Sequence, residues 1–300
     1  MPRISGDRNG SLWVDIVLSA VAIFAVICCV VPFAIILSAS LSDELSIMRH
    51  GYSILPRGFT FTAYQTILGS RTSLIWVGYR TTVIVTATGA VLSTLITVLA
   101  AYPLSRKNYK FRRGMNLFVF ITMLFNGGIV PWYMVTTQWY GLRNSYPALI
   151  VPYLANAWNV FLLRNFMTAI PDEMEESAKM DGAGNFRILF SIFAPLCMPG
   201  IATVALFNVL AYWNDWWLGL MLVEGNKIIP LQYFLLRIME SLDFLSKSTR
   251  AANMAGTRAA IPAETARMAI CMLTIGPIIF VYPLFQKHIV KGMLVGSIKG

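Results

Sequence analysis

From Val14 to Leu37 the chain runs for twenty-four residues with a single charge, Asp15, at its beginning. A backbone in hydrocarbon has no water to bond to, so such a run must be a helix that satisfies its own amides, and about twenty residues of helix cross a bilayer core. Arg3 and Arg8 ahead of it give the outline of a signal peptide. The apolar part, however, exceeds the roughly 7–15 residues of a signal core. It is expected to be an uncleaved first membrane helix, with Pro32 near its far end. Similar blocks recur along the chain, and 57% hydrophobic against 13% charged residues excludes an ordinary soluble protein. The expected fold class is an all-α integral membrane protein.

Six transmembrane helices are expected within one domain over residues 1–300. After the first, a polar loop from Ser38 to Leu74 carries Asp43, Glu44, Arg49 and the Gly- and Pro-bearing Gly51–Thr62. A loop of this length is a candidate contact surface. The second helix is expected over Thr81–Leu104, rich in the Thr and Ala that suit close packing in lipid. The third, Met115–Val135, is interrupted by Asn126-Gly127-Gly128 and Pro131. Gln138–Tyr146 leads to a fourth over Pro147–Leu163, and a fifth is expected over Pro195–Trp213. A long segment, Asp215–Pro262, precedes the sixth over Thr265–Phe285.

Charge orients the bundle. Arg106, Lys107, Lys110, Arg112 and Arg113 fall within eight residues with no acid among them, which places that connection in the cytoplasm. Lys287, Lys291 and Lys299 place the tail there too, so both termini are expected inside. Topology therefore accounts for the net charge of +10. No face interleaves basic and aromatic residues, so no nucleic acid is expected as a partner. The basic run also fits a polybasic site for membrane lipid, with topology the stronger reading. Cys28, Cys29, Cys197 and Cys271 all lie in apolar runs without ligand spacing, and no metal site is expected.

One polar stretch runs against this pattern. Residues 171–187, Pro-Asp-Glu-Met-Glu-Glu-Ser-Ala-Lys-Met-Asp-Gly-Ala-Gly-Asn-Phe-Arg, hold five of the fourteen acidic residues and lead to Pro195 and Pro199. Pro171 and Asp172 can start a helix, with acids favoured at the positive end of its dipole. Asp172 as the cap would put Glu175 at capping-box spacing. Met174, Ala178 and Met180 offer a narrow buried strip, with Glu175, Glu176 and Lys179 around it. Gly182 and Gly184 allow a left-handed turn, and Asn185 can cap a second helix from Phe186. The expectation is a short helix, a corner and another helix outside the bilayer.

Glu176-Ser177-Ala178, Asp181-Gly182-Ala183, Phe186, Ile192, Pro195 and Pro199 closely resemble the EAA motif of ABC importer permeases. Ser177 stands where many members have Ala. Phe285–Met293 with Gly296 and Lys299-Gly300, and Leu142, Asn144 and Tyr146–Leu149, resemble the sugar branch of the maltose-transporter type. The resemblance covers nearly the whole chain. It implies a type I importer permease fold in a bacterial cytoplasmic (inner) membrane. Residues 172–184 would be a coupling helix and corner within a cytoplasmic loop, 164–195, between helices four and five. Glu176, Ser177, Ala178, Asp181, Gly182, Ala183, Phe186 and Pro195 would then couple to the ATPase: Glu176 by polar contacts, Ala178 by close packing, Gly182 as the corner. It also implies a nucleotide-binding ATPase dimer holding ATP and Mg, a companion permease, and an extracytoplasmic solute-binding protein docking on Ser38–Arg71 and Asp215–Pro262. The branch includes importers of polysaccharide fragments, among them sugar acids such as alginate or pectin fragments.

Candidates for a substrate pathway are Asn126, Asn156, Asn159 and Asn208, polar groups in or near spans, and Trp132, Trp158 and Trp213, whose rings can stack on sugars. Interhelical hydrogen bonds and an interfacial aromatic belt are the competing explanations. Tyr133, Trp216 and Trp217 belong to the same aromatic set. The chain lacks a G-x-x-x-x-G-K-[ST] loop and any H-E-x-x-H or G-x-S-x-G sequence, so no catalytic residue and no cofactor of its own is expected. An ion-coupled secondary transporter or channel is the alternative. It would call for ionisable groups deep in the spans, whereas Asp15 and Arg267 stand at span ends.

Overall fold

The computed structural model describes residues 8–69, 74–241 and 264–296. All regular structure among the described residues is helical. The chain divides into two compact units, Met1–Arg71 with Ile238–Leu273, and Thr72–Arg237 with Thr274–Gly300.

The first unit contains α1 (Arg8–Ser40), α2 (Glu44–His50), α3 (Thr62–Leu68) and the opening turns of the last helix, Glu264–Gly296. α1 continues through Pro32, and its side chains from Val14 to Val30 are exposed. A helix apolar all round and exposed along its length is suited to lipid or to another membrane helix. The polar loop after it is ordered by capping. Asp43 Oδ2 accepts the Ser46 amide at 3.2 Å. The Glu44 carboxylate accepts the amides of Glu264 and Thr265 at 3.0 and 2.9 Å, closing the free N-terminus of the last helix.

The second unit is built on α4 (Leu74–Ser105), which starts seven residues before the expected Thr81. α5 (Arg112–Leu124) ends at a break from which α6 (Ile129–Met134) and a π-turn, Val135–Trp139, leave at 112°. The break has a local cause: Asn126 Oδ1 accepts the Gly128 amide at 2.9 Å, and Gly128 has φ +84°. α7 (Tyr146–Ile150) and the turn Val151–Tyr153 meet α8 (Ala157–Thr168) at 51°. α9 (Asp172–Met180) follows, then α10 (Asn185–Ile188), a π-turn Leu189–Phe193 and α11 (Ala194–Leu196). α12 (Met198–Trp213) bends from them by 85° at Cys197, between Pro195 and Pro199. α13 (Trp217–Leu222) and α14 (231–241) precede α15 (Glu264–Gly296).

Two described helices, Val14–Ser40 and Leu74–Ser105, are long and apolar enough to cross a membrane unbroken. The third, fourth and fifth expected helices are each bent pairs, because proline, glycine and asparagine release backbone groups that packing must re-satisfy. α4 packs against α8 and α12. Gly89 makes this approach possible, since a Cβ there would lie 2.6 Å from the Tyr212 ring. Tyr212 continues across to α7, donating to the Ile150 carbonyl at 2.9 Å.

Candidate functional site

Two places in the second unit bring polar residues together: the surface around α9 and a cavity between α8 and α12.

α9 begins after Pro171 and carries Asp172, Glu173 and Glu175 in its first turn, so the acids sit on the positive end of the dipole. It stops at a Schellman turn. Gly182, at φ +76°, donates to the Lys179 carbonyl at 3.0 Å, and Ala183 donates to the Ala178 carbonyl at 3.0 Å. The second helix starts at Asn185 itself, with Gly184 as its cap.

The buried strip differs from the expected one. Glu175 and Ala178 face inward, while Met174 and Met180 are 41% and 88% exposed. Ala178 joins a core of Val98, Ala101, Leu163, Met167, Ile188 and Phe193. A carboxylate can turn inward only if paired. Arg106, 4% exposed at the end of α4, is the partner. Its Nη1 lies 3.7 Å from Glu175 Oε2 and 3.5 Å from Asp172 Oδ1, its Nη2 donates to the Met167 carbonyl, and its guanidinium sits 4.4 Å over the Phe193 ring. Lys179 closes on Glu175 at 2.6 Å and Lys107 on Asp172 at 2.9 Å. The hydrogen bond from Lys107 holds the Asp172 carboxyl below the usual carboxylate range, with Arg106 adding to the effect.

Arg106 entered the sequence reading only as a topological charge. Its role rests on contacts across more than sixty positions, and the one local hint was the excess of acids at 172–176, which needs cations from elsewhere. The opposite face of α9 is open. Glu176, Ser177, Asp181, Gly182 and Phe186 are exposed, as is Pro195, whereas Ala183 is half-buried and Ala178 points into the chain's own core.

The cavity, about 630 Å³, is lined by residues of the α7–α8 region and of α12 and the turn after it, including Asn156, Asn159, Asn208, Asp215, Trp216 and Trp217. Asn159 Nδ2 donates to Asn208 Oδ1 at 2.9 Å, and Asn208 Nδ2 donates to Thr94 Oγ1 at 3.0 Å, joining α8, α12 and α4 by one polar chain. Asn156 caps α8, its Oδ1 accepting the Asn159 amide at 3.1 Å. Tyr153 donates to Asp215 Oδ1 at 2.9 Å. A second cavity of about 440 Å³ holds Asn126 and Trp132. Trp158 is 63% exposed outside both, and Trp213 is buried, donating to the Thr274 carbonyl at 3.3 Å. Residues 242–263 of the expected outer segment and the side chains of the C-terminal motif lie outside the described residues.

Broken apolar helices around a polar cavity, beside an acidic helix with one face on the core and the other exposed, describe a membrane permease. Residues 91–295 match the model of a family described as "Binding-protein-dependent transport system inner membrane component". The chain belongs to that family. It is 36% identical to the polygalacturonan/rhamnogalacturonan transport system permease protein YtcP of Bacillus subtilis, over 92% of this chain and 94% of that one. It is 34% identical to Protein LplC of the same organism, over 90% of each. Among solved structures, a bacterial ABC transporter involved in the import of the acidic polysaccharide alginate includes a chain that superposes with TM-score 0.79 and 29% identity. That match covers 96% of this chain and 99% of the other. The protein is thus an inner-membrane permease subunit of an ABC importer and not an enzyme. It works with a binding protein and with separate subunits that hydrolyse ATP.

Proposed function

We propose that the chain is the membrane-spanning half of an importer for oligosaccharides released from polysaccharide, coupled to its ATPase through α9. In this reading the chain forms one permease domain that crosses the membrane six times with both termini in the cytoplasm, and residues 164–195 form the cytoplasmic loop. A companion permease completes the pathway, and a solute-binding protein delivers the sugar at Ser38–Arg71 and Asp215–Pro262. ATP and Mg stay with the ATPase dimer.

The observation that carries the reading is the two-sidedness of 172–184. Its inner face is pinned by Arg106 and the core, while Glu176, Ser177, Asp181, Gly182 and Phe186 are left outward for a partner. A rigid, exposed helix fixed to three membrane helices is what a force-receiving element requires. The polysaccharide relatives support the cargo class. Asn156, Asn159 and Asn208 with the neighbouring tryptophans offer hydrogen bonds and ring faces suited to sugar hydroxyls. Asn126 and Trp132 line a second stretch of the path. Trp158 and Trp213 belong to the pathway only if substrate reaches them from a companion's side.

The test is ATP-dependent uptake in vesicles with Glu176→Ala. Loss of uptake with weakened recovery of the ATPase subunit is the expected result. Normal uptake together with normal recovery would remove α9 from the coupling role.

A further inference from the structure

The basic connection between α4 and α5 contains more than a topological signal. Arg112 and Arg113, at the start of α5, and Arg164, on α8, line a cavity of about 510 Å³ together with Asn116, Leu117, Phe120 and Phe161. Like charges repel, so their convergence needs a cause. It is a single acceptor: the Leu104 carbonyl, at the end of α4, receives the Nε–H of Arg112 at 3.3 Å and of Arg164 at 3.1 Å, and Asn116 Nδ2 at 3.4 Å. Among the described residues the Nη groups of both arginines make no hydrogen bond, and the Arg164 guanidinium lies 5.8 Å from the Phe161 ring centre. Among the described residues none of the three arginines has an ion pair. The acid nearest in influence, Asp172, is engaged by Arg106 and Lys107. Asn116 Oδ1 is also buried without a hydrogen-bond partner, while its Nδ2 is fixed on Leu104 and Arg112 carbonyls.

The cavity is therefore cationic and has an apolar side. Leu117 and Phe120 line it, and Leu124 continues the same exposed stripe along α5, which buries none of its residues. An anion that also brings a long apolar tail fits both features, and basic pockets between membrane helices on the cytoplasmic side bind anionic lipid head groups. We propose that this cavity holds an anionic phospholipid of the phosphatidylglycerol type. Its phosphate lies on Arg112, Arg113 and Arg164, and its acyl chains follow Leu117, Phe120 and Leu124. The assignment rests on the orientation proposed above, with this connection in the cytoplasm.

The experiment is native mass spectrometry of the complete importer, extracted from membranes with equal phosphatidylglycerol and phosphatidylcholine of matched chains. At least one phosphatidylglycerol is expected to stay on the wild type. Removing two cations in Arg112→Gln/Arg164→Gln lowers the ratio of retained phosphatidylglycerol to phosphatidylcholine by about thirty-fold. Arg112→Lys/Arg164→Lys keeps most of the preference, which separates lost charge from misfolding. Lys227→Gln, exposed far from the cavity along the chain, leaves the ratio unchanged. An equal ratio in the glutamine variant would overturn the proposal. So would displacement of the lipid by millimolar inorganic phosphate, or efficient cross-linking of Arg113→Cys to the companion subunit. The ratio is read without sugar or ATP. Failed uptake with lipid retained would instead tell against the transport reading.

Discussion

The Arg106 guanidinium stands 3.7 Å from the Glu175 carboxylate, and both side chains are about nine-tenths or more buried. α9 is thereby tied to the end of α4 by a charge pair at the boundary of the apolar core.

Arg106→Ala leaves Glu175 buried with Lys179 as its remaining cation, and a broken buried pair costs about 3–5 kcal/mol. The expected phenotype is ATP hydrolysis that persists while uptake falls. Arg106→Lys restores charge but cannot reach Asp172, Glu175 and the Met167 carbonyl together, so it recovers stability more than coupling. Equal loss of both activities, or none, would show that the pair is ordinary packing.

Gly182 separates fold from docking. Its φ of +76° disfavours a side chain, yet a Cβ there meets nothing within 4 Å. Gly182→Asp is therefore expected to shift stability by about 1 kcal/mol or less, since aspartate enters this region more easily than most residues. If α9 docks on the ATPase as proposed, uptake should nevertheless fall sharply, because the added side chain points towards that partner. Thermal melting of the purified assembly beside an uptake assay checks both halves.

Asn159 and Asn208 share a hydrogen bond of 2.9 Å at the cavity wall. Asn159→Ala removes one side-chain bond and Asn208→Ala removes two, each leaving a group unpaired, a loss of about 0.6–2 kcal/mol per bond. If sugar uses the same amides, KM for uptake rises in addition. A double-mutant cycle in which the whole effect is coupling, with unchanged KM, assigns the pair to packing.

Asp172 gives a pH signature. Its carboxyl is held below the ordinary value by the Lys107 hydrogen bond, so the stabilisation is present above the unfolded value of about 3.9 and is lost as pH falls through the depressed native one. The melting difference between wild type and Asp172→Asn should be constant from neutral pH down to about 5 and shrink towards zero as pH falls through the depressed native value. A difference that grows on acidification would contradict the pairing.

Much of this was legible in order along the chain. Uncharged runs specify membrane helices because unpaired amides are intolerable in hydrocarbon, and Val14–Leu37 has no other fold open to it. The helix of residues 172–180 and its corner at Gly182 follow from local signals: acids at the start and a glycine free to take positive φ at the end. Local signals do not report which side faces inward. Hydrophobic spacing favoured Met174 and Met180, but Glu175 lies inside because Arg106 arrives from α4 to neutralise it. The pairing of Asn159 with Asn208 and the gathering of Arg112 and Arg164 on one carbonyl are likewise long-range outcomes. The sequence by itself determined the helices, their medium and the motif that ties this chain to its family. Only the tertiary structure decided which charges are paired and which are left for a partner, because the energy of a charge depends on what folding places a few ångströms away.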